Sequence, residues 1–443
     1  MKILVISLGC DKNLVDTEVM LAMLEGAGHT VTNDENEAEA VLINTCCFIG
    51  DAKEESVNTI LDMADLKNSG QIRKIIVSGC LSERYKKEIL DEIPEVDAVL
   101  GTASYDHILE ALEETENGEK AMFYDPLSRL PESPEGRLLT TGGHYAYLKI
   151  AEGCDKHCTY CIIPKIRGSY RSFPMERLVA EARTLASGGV KEIILVAQET
   201  TLYGTDLYGK KMLPELLRRL AEIPELYWIR ILYCYPEEID DELIQVMKEE
   251  KKVCHYLDLP IQHASDGVLK RMNRRTNRKD LEEIVGRLRR EIPDICLRTT
   301  LIAGFPGETP ADHEEVLGFV EEMAFDRLGC FAYSREEDTP AYKMPNQVDE
   351  ETALDYQAEI MALQQEIAFK KAEERIGETL LVMIEGKVAD ENAYVGRTYR
   401  DAPGVDGLIF INTEETLMSG DFVYARVIGA LEYDLIGEIV ENT

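Results

Sequence analysis

Strongly apolar, β-branched runs alternate with helix-period stretches along most of this chain. That alternation narrows its fold more than any other feature. The runs Lys2–Leu8, Ala40–Asn44 and Lys74–Val77 open the sequence, separated by stretches such as Leu14–Leu24 and Ser56–Leu66 whose apolar residues recur three and four apart. Parallel strands need helical crossovers and are buried on both faces, so they read as continuous apolar runs. The pattern therefore predicts an α/β unit with an open parallel sheet. A cysteine follows each run: Cys10 in ISLGC, Cys46 in LINTC and Cys80 in IVSGC. Loops after the strands of such a sheet form its ligand crevice, so three side chains distant in sequence are expected to converge there.

The stretch Asp125–Gly143 is rich in Pro, Gly and Ser and reads as a linker. A longer series follows, with strands expected at Tyr145–Ile150, Glu192–Ala197, Trp228–Leu232, Tyr256–Pro260, Cys296–Ile302 and Gly329–Tyr333. Helices are expected between them, at Met175–Ala186, Leu213–Glu222, Asp240–Glu250, Asp280–Glu291 and Pro310–Met323. Six βα units suggest a partial barrel. A long helix, Glu350–Arg375, leads to runs such as LLVMIEG, YVGRTYR, LIFIN and FVYARVIG, which read as a small antiparallel β-barrel. A chain of 443 residues has room for roughly three domains. The expected division is 1–124, a linker at 125–143, 144–372 and 373–443.

Hydrophobic residues make up 45% and charged residues 30%, which excludes a disordered or collagen-like chain. Lysine and arginine number 48 against 83 acidic residues, for a net charge of −35. A free-standing nucleic-acid binder carries a basic footprint, and this chain as a whole does not; a basic protein partner fits better. No apolar run approaches the roughly 18 residues of a membrane span. The apolar run Ile3–Leu8, with Lys2 as its one flanking cation, is too short for a signal peptide; it reads as a first buried strand in a cytoplasmic protein. The 11 cysteines are an odd number in a large chain, which makes a disulfide framework a poor reading.

The strongest local signal is CDKHCTYC, which places Cys154, Cys158 and Cys161 at C-x3-C-x2-C just after the strand YAYLKI. Thiolates favour iron–sulfur clusters and zinc. Three local thiolates leave a metal corner open, as a catalytic site requires. Zinc with His157 as fourth ligand is the alternative, strained because His157 abuts Cys158. This motif after the first strand of a partial βα barrel resembles the radical S-adenosylmethionine enzymes. The resemblance implies that the three thiolates hold a 4Fe–4S cluster whose open iron binds S-adenosylmethionine. One-electron reduction then yields a 5′-deoxyadenosyl radical, the cofactor supplying the hard chemistry. TTLIAGFPGE (Thr299–Glu308) resembles the family's later strand–loop beside the bound cofactor. On that likeness Arg298, Gly304 and Glu199 are candidate cofactor contacts, the first through the methionine carboxylate. A turn around Pro306 for Gly304 and Gly307, and an exposed salt bridge for Glu199, are the bland alternatives.

Taken together, the three units resemble the methylthiotransferases over nearly the whole chain. In that family the first three cysteines bind a second 4Fe–4S cluster used in sulfur insertion, here Cys10, Cys46 and Cys80. Cys47 reads as a packed thiol, and Cys234, Cys254, Cys296 and Cys330 as core packing. Two branches exist, one acting on an adenosine of transfer RNA and one on the β-carbon of an aspartate in small-subunit ribosomal protein S-twelve. The strings SLGCDKNLVDTE, YLKIAEGCDKHCTYCIIPKIRG, LDLPIQHAS and DAPGVDG resemble the second. From Ile376 onward there are 13 acidic and 4 basic residues, a net −9 that suits a basic protein better than RNA. The basic run Lys270–Arg275 reads as a solvated helix face. The resemblance further implies an external electron donor, flavodoxin-like in type. A transfer-RNA methylthiotransferase, and a non-enzymatic iron–sulfur or zinc protein binding the ribosome, stay open as alternatives.

Overall fold

A computed structural model describes residues 1–132, 136–389 and 391–440. Its first sheet contains β1 (Lys2–Ser7), β2 (Thr30–Thr32), β3 (Ala40–Thr45), β4 (Lys74–Gly79), β5 (Ala98–Leu100) and β6 (Ala121–Phe123). They lie in the order β2-β1-β3-β4-β5-β6, every pair parallel. The three long apolar runs are β1, β3 and β4. The other three strands have three residues each, too few to show a period in sequence. Alternate residues serve opposite cores: Val41, Ile43, Ile75 and Val77 pack on one face, Ala40, Leu42 and Ile76 on the other. Helices α1 (Asp11–Gly26) and α2 (Gly50–Asn68) are the first two long crossovers.

The second sheet starts at β7 (Tyr145–Lys149). A short antiparallel ribbon follows, β8 (Ala151–Glu152) with β9 (Arg171–Ser172). The sheet continues through β10 (Glu192–Val196), β11 (Trp228–Ile231), β12 (Val253–Gln262), β13 (Cys296–Ala303) and β14 (Arg327–Ala332), all parallel and in sequence order. This is a six-stranded partial βα barrel. Its outward residues, such as Leu148, Ile193, Leu195 and Leu297, pack under the helices. Its inward residues Tyr147, Ile194, Trp228, Cys254, Tyr256 and Cys296 meet Val15 of α1 and Met383 and Ala402 from the end of the chain. The lumen of the barrel is thus closed by side chains from both flanking units.

The last unit is a closed barrel of β15 (Thr379–Lys387), β16 (Ala393–Thr398), β17 (Ile409–Asn412), β18 (Phe422–Leu431) and β19 (Asp434–Ile439), ordered β15-β16-β17-β19-β18. Four pairings are antiparallel and β17–β19 is parallel. Five strands in a ring cannot all alternate in direction, so one parallel seam is unavoidable. This unit is locked to the partial barrel by buried charge. Glu192 accepts from Arg230 and Arg397, each at 2.7 Å, and all three side chains are inaccessible. Asp401 accepts from Arg327 at 2.6 Å and Asp406 from Tyr256 at 2.7 Å. Such pairs fix orientation more than they add stability.

Asp125–Gly143 is a tethered connection rather than a loose one. Arg129 binds Asp106, and the buried Arg137 lies 3.3 Å from Glu18 and 3.1 Å from Glu181. Residues 133–135 of that segment lie outside the described residues. No helix among the described residues is long and apolar enough to cross a membrane.

Candidate functional site

Cys10, Cys46 and Cys80 follow β1, β3 and β4, the three adjacent central strands of the first sheet, and their loops meet. Gly9 has φ +90°, and a Cβ there would lie 3.0 Å from Cys46 Sγ, so the backbone before Cys10 passes directly against the second thiol. Cys10 is the N-cap of α1. Ser56 pins Cys46, accepting from its N–H at 3.0 Å and donating to its carbonyl at 2.8 Å. Burial pushes the Cys46 and Cys80 thiols up, with Arg167 opposing the rise at Cys80. Cys47 is fully buried and burial pushes its thiol up to about 12. It packs with Val41 and Ile60 in the core of this unit.

The second trio occupies the loop after β8. Cys154 donates its N–H to Gly168 O at 3.1 Å, and Cys161 donates its own to Cys158 O at 3.0 Å. Burial pushes the Cys154 thiol up to about 12, and the Cys161 thiol higher still. Metal binding must displace these protons. Cys158 Sγ lies 3.5 Å from Tyr235 Oη and 3.9 Å from Arg274 Nη1. His157 has φ +51° and an exposed side chain. Thiolates on one tetrahedral zinc stand about 3.8 Å apart. Among the described residues, the one trio of ligand atoms all within 4.8 Å of one another is Asp106, His107 and Asp125. In neither cysteine trio do all three Sγ atoms lie within 4.8 Å of one another.

A buried ionic network ties Cys80 of the first trio to the segment that follows the second. Arg167 follows the Cys161 loop and donates to Asp16 at 2.9 Å and to Glu152 at 3.2 Å. Its other terminal nitrogen reaches Cys80 Sγ at 3.6 Å and also donates to Asn13. Lys149 bonds Asp16 and Glu152 as well, so two cations face two carboxylates out of water. Nearby, Tyr233 of the barrel donates its hydroxyl to Asp11 at 3.0 Å, and Lys12 sits 3.2 Å from the centre of the same ring. Most of these residues lie in the strings SLGCDKNLVDTE and YLKIAEGCDKHCTYCIIPKIRG, which marked a family in sequence without showing that they pair. An arginine six positions after a ligand cysteine, in IPKIRG, was the one signal available.

The candidate cofactor contacts fall differently. Glu199 is fully buried and not an exposed salt bridge. One oxygen accepts the Thr201 N–H at 2.9 Å, the other has no partner, and burial pushes its carboxyl up to about 7. An orphaned carboxylate oxygen, sensing the Cys154 thiol, fits a polar or cationic ligand group there. Arg298 faces the lumen but is already paired, donating to Asp258 at 2.9 Å with Asp406 at 3.6 Å. Gly304 has φ +74°, and a Cβ there would clash with Ala353 of the long helix, so packing alone requires glycine. The run Lys270–Arg275 is no simple solvated face. Arg274 is buried, 4.3 Å over the Tyr235 ring, because Arg271, Met272 and Asn273 bond the cysteine loop. Cys234, Cys254, Cys296 and Cys330 are all buried in the barrel core.

Family comparisons match the three units separately. Residues 2–101 match the family described as "Uncharacterized protein family UPF0004", residues 148–320 the radical SAM superfamily, and residues 376–440 the TRAM domain. A ribosomal protein uS12 methylthiotransferase RimO from Lachnoclostridium phytofermentans is 61% identical over 99% of both chains. A RimO from Clostridioides difficile is 46% identical, again over 99% of both. Among solved structures, the radical S-adenosylmethionine methyltransferase TsrM from Kitasatospora setae shares the fold at a TM-score of 0.54 and 14% identity, over 77% of this chain and 76% of that one. With its two thiol trios, its partial barrel and its closed terminal barrel, the chain belongs to the RimO family of ribosomal protein uS12 methylthiotransferases, within the radical SAM superfamily.

Proposed function

We propose that this chain adds a methylthio group to the β-carbon of an aspartate in ribosomal protein uS12. Cys154, Cys158 and Cys161 hold one 4Fe–4S cluster together with S-adenosylmethionine, and Cys10, Cys46 and Cys80 hold the other. The observation carrying this reading is Arg167, whose guanidinium touches Cys80 while its backbone continues directly from the second trio's loop. Arg167 thus ties the segment that follows the second set to Cys80 of the first, which supports one pocket shared by both. When bound, the first cluster and S-adenosylmethionine supply one-electron chemistry able to remove an unactivated hydrogen, and the second cluster supplies sulfur.

The chain's own residues bind, position and seal. Glu199 offers its free oxygen to the cofactor's ammonium group. Asp258 and Asp406 hold Arg298 extended across the lumen. Met383, Ala402 and Tyr399 from the terminal barrel, with Leu14 and Val15 of α1, close the lumen with apolar side chains. The acidic terminal barrel supports a basic protein substrate over an RNA.

Mass spectrometry of ribosomal proteins from cells lacking this chain tests the substrate. Loss of a methylthio mass from uS12 is expected. An unmodified uS12 in normal cells, with methylthio-adenosine in transfer RNA lost instead, would transfer the reading to the other branch.

A further inference from the structure

Eight lysine and arginine residues among those described are buried. Six of them meet a carboxylate. A seventh, Arg274, donates to Pro260 O at 2.8 Å. The eighth is Lys12, 6% exposed, which makes neither an ion pair nor a hydrogen bond with any described residue. Its Nζ stands instead 3.2 Å from the centre of the Tyr233 ring. A ring face attracts a cation, but it does not satisfy the three N–H donors of an ammonium as oxygens do. The Nζ is not sealed off, so a ligand can reach it. A buried charge is ordinarily paired, and the partner of this one has to come from outside.

The ring beneath Lys12 is held in place. Tyr233 follows β11 with φ +60°, in the left-handed region that a tyrosine rarely occupies. Its N–H donates to Asp258 at 3.1 Å, its carbonyl accepts from Thr200 at 3.0 Å and its hydroxyl donates to Asp11 at 3.0 Å. Asp11 is thus spent at the edge of the ring, while Lys12 lies on its face. Lys12 is two residues from Cys10, and Thr200 adjoins Glu199, so the ammonium stands between the first trio's loop and the segment assigned to the cofactor. We propose that Lys12 takes the carboxylate of the substrate's aspartate and thereby selects aspartate as the target. The inference rests on the reading of uS12 as substrate. The carboxylate carbon is bonded directly to the β-carbon, so gripping it fixes the reacting carbon one bond away. A chain of net charge −35 otherwise repels a carboxylate, and a largely desolvated ammonium offers the charge-assisted bond that offsets this. S-adenosylmethionine carries a carboxylate too, but Lys12 belongs to the loop of the first trio, and the cofactor to the second.

The test compares kcat/KM of the reconstituted, full-length protein for uS12 and for uS12 whose target aspartate is replaced by asparagine, read as methylthiolated product by mass spectrometry. Asparagine keeps the shape and loses the charge. The unsubstituted protein should prefer aspartate by at least about tenfold, the size of one charge-assisted bond. Lys12→Met should bring the two substrates to within about twofold of each other, by losing on aspartate alone. Lys12→Gln, which is uncharged but keeps a donor, should do the same. Lys12→Arg keeps the charge and should keep most of the preference. A lysine that merely packs would lower both substrates together and leave their ratio alone. Affinity for S-adenosylmethionine, measured by equilibrium dialysis, should stay within about twofold in all three variants. Equal kcat/KM for the two substrates in the unsubstituted protein would overturn the proposal, whatever the variants do. So would an undiminished preference in Lys12→Met, or a kept preference with cofactor affinity down about tenfold, which would give Lys12 to the cofactor's carboxylate. Where Lys12→Met does not hold its clusters, the Gln variant and the unsubstituted ratio decide. If the unsubstituted protein modifies neither form of uS12, the substrate reading itself fails, and the role of Lys12 with it.

Discussion

Replacing Arg167 by methionine should destabilise the protein more than any other single charge deletion at the junction of the first two units. Arg167 and Lys149 balance Asp16 and Glu152, and all four side chains are at most 4% exposed. Removing one cation leaves an uncompensated buried carboxylate, a loss of about 3–5 kcal/mol. For a cooperative unit of about 150–250 residues each kcal/mol shifts the melting temperature by about 2–4 °C, so a drop of about 6–20 °C is expected. Calorimetry on the metal-free protein isolates this term from cluster binding. Arg167→Lys should lose less, because it keeps the charge and gives up only the fork that reaches Asn13 and Cys80. The double variant Arg167→Met with Asp16→Asn restores neutrality and should recover at least half of the drop. The acid limb supplies a second readout. Burial pushes Glu152 up, but Lys149 and Arg167 outweigh it and hold the carboxyl at about 2. Its folded value lies below the unfolded value of about 4.3, so its contribution is complete above that pH and is lost as pH falls toward 2. Without Arg167 the folded value rises toward the unfolded one, so that loss should be smaller and complete at higher pH. A melting shift under about 2 °C, or no rescue by Asp16→Asn, would refute the assignment of the network as a charge-balanced tetrad.

Other outcomes follow from the same geometry. Cys154→Ala should abolish 5′-deoxyadenosine release, while Cys80→Ala should keep part of it and lose the methylthiolated product; equal loss in two folded variants would undo the division of labour. Glu199, raised to about 7 by burial, has a folded value above its unfolded one, so it costs stability as pH rises from about 4.3 to 7 and the full cost persists above. Glu199→Gln should therefore stabilise the metal-free protein by about 3 kcal/mol at pH 8 while weakening S-adenosylmethionine binding by calorimetry; a less stable Gln variant would contradict this. Gly304→Ala should cost about 1–2 kcal/mol for its left-handed backbone and a further 1–3 kcal/mol or so for the clash with Ala353. Urea midpoints measure the sum, and adding Ala353→Gly should return only the second share.

The first sheet's centre, the six barrel strands and the grouping of Cys154, Cys158 and Cys161 were legible because each rests on a local pattern, whereas Cys10, Cys46 and Cys80 were brought together only by the sheet topology that the apolar runs imply. An apolar run long enough to show burial, or three cysteines within eight residues, needs no tertiary information. Residues such as β2 (Thr30–Thr32) and β5 (Ala98–Leu100) were invisible because three residues carry no period. The role of Lys270–Arg275 was misjudged for a related reason: a run with five charged or polar residues among six looks solvated until a loop from 116 residues away bonds it. Gly304 shows the opposite failure. Its glycine was legible, but the partner that demands it, Ala353, sits on a helix whose packing the sequence could not place.

The string DKNLVDTE looks different once the side chains have partners. It marked a family in sequence, yet nearly every polar member is spent on holding one unit against another. Asp11 and Lys12 grip Tyr233, Asn13 and Asp16 grip Arg167, and Glu18 receives the Thr140 N–H at 2.9 Å with Arg137 at 3.3 Å. These residues all belong to a single helix, α1, whose N-cap is Cys10 itself. The first thiol of the trio and the contacts that orient the unit are thus parts of one rigid rod. A hinge between the two thiol sets would have to break this entire row of buried bonds at once. Cys10 and the partial barrel are therefore held as one body by the bonds that α1 makes.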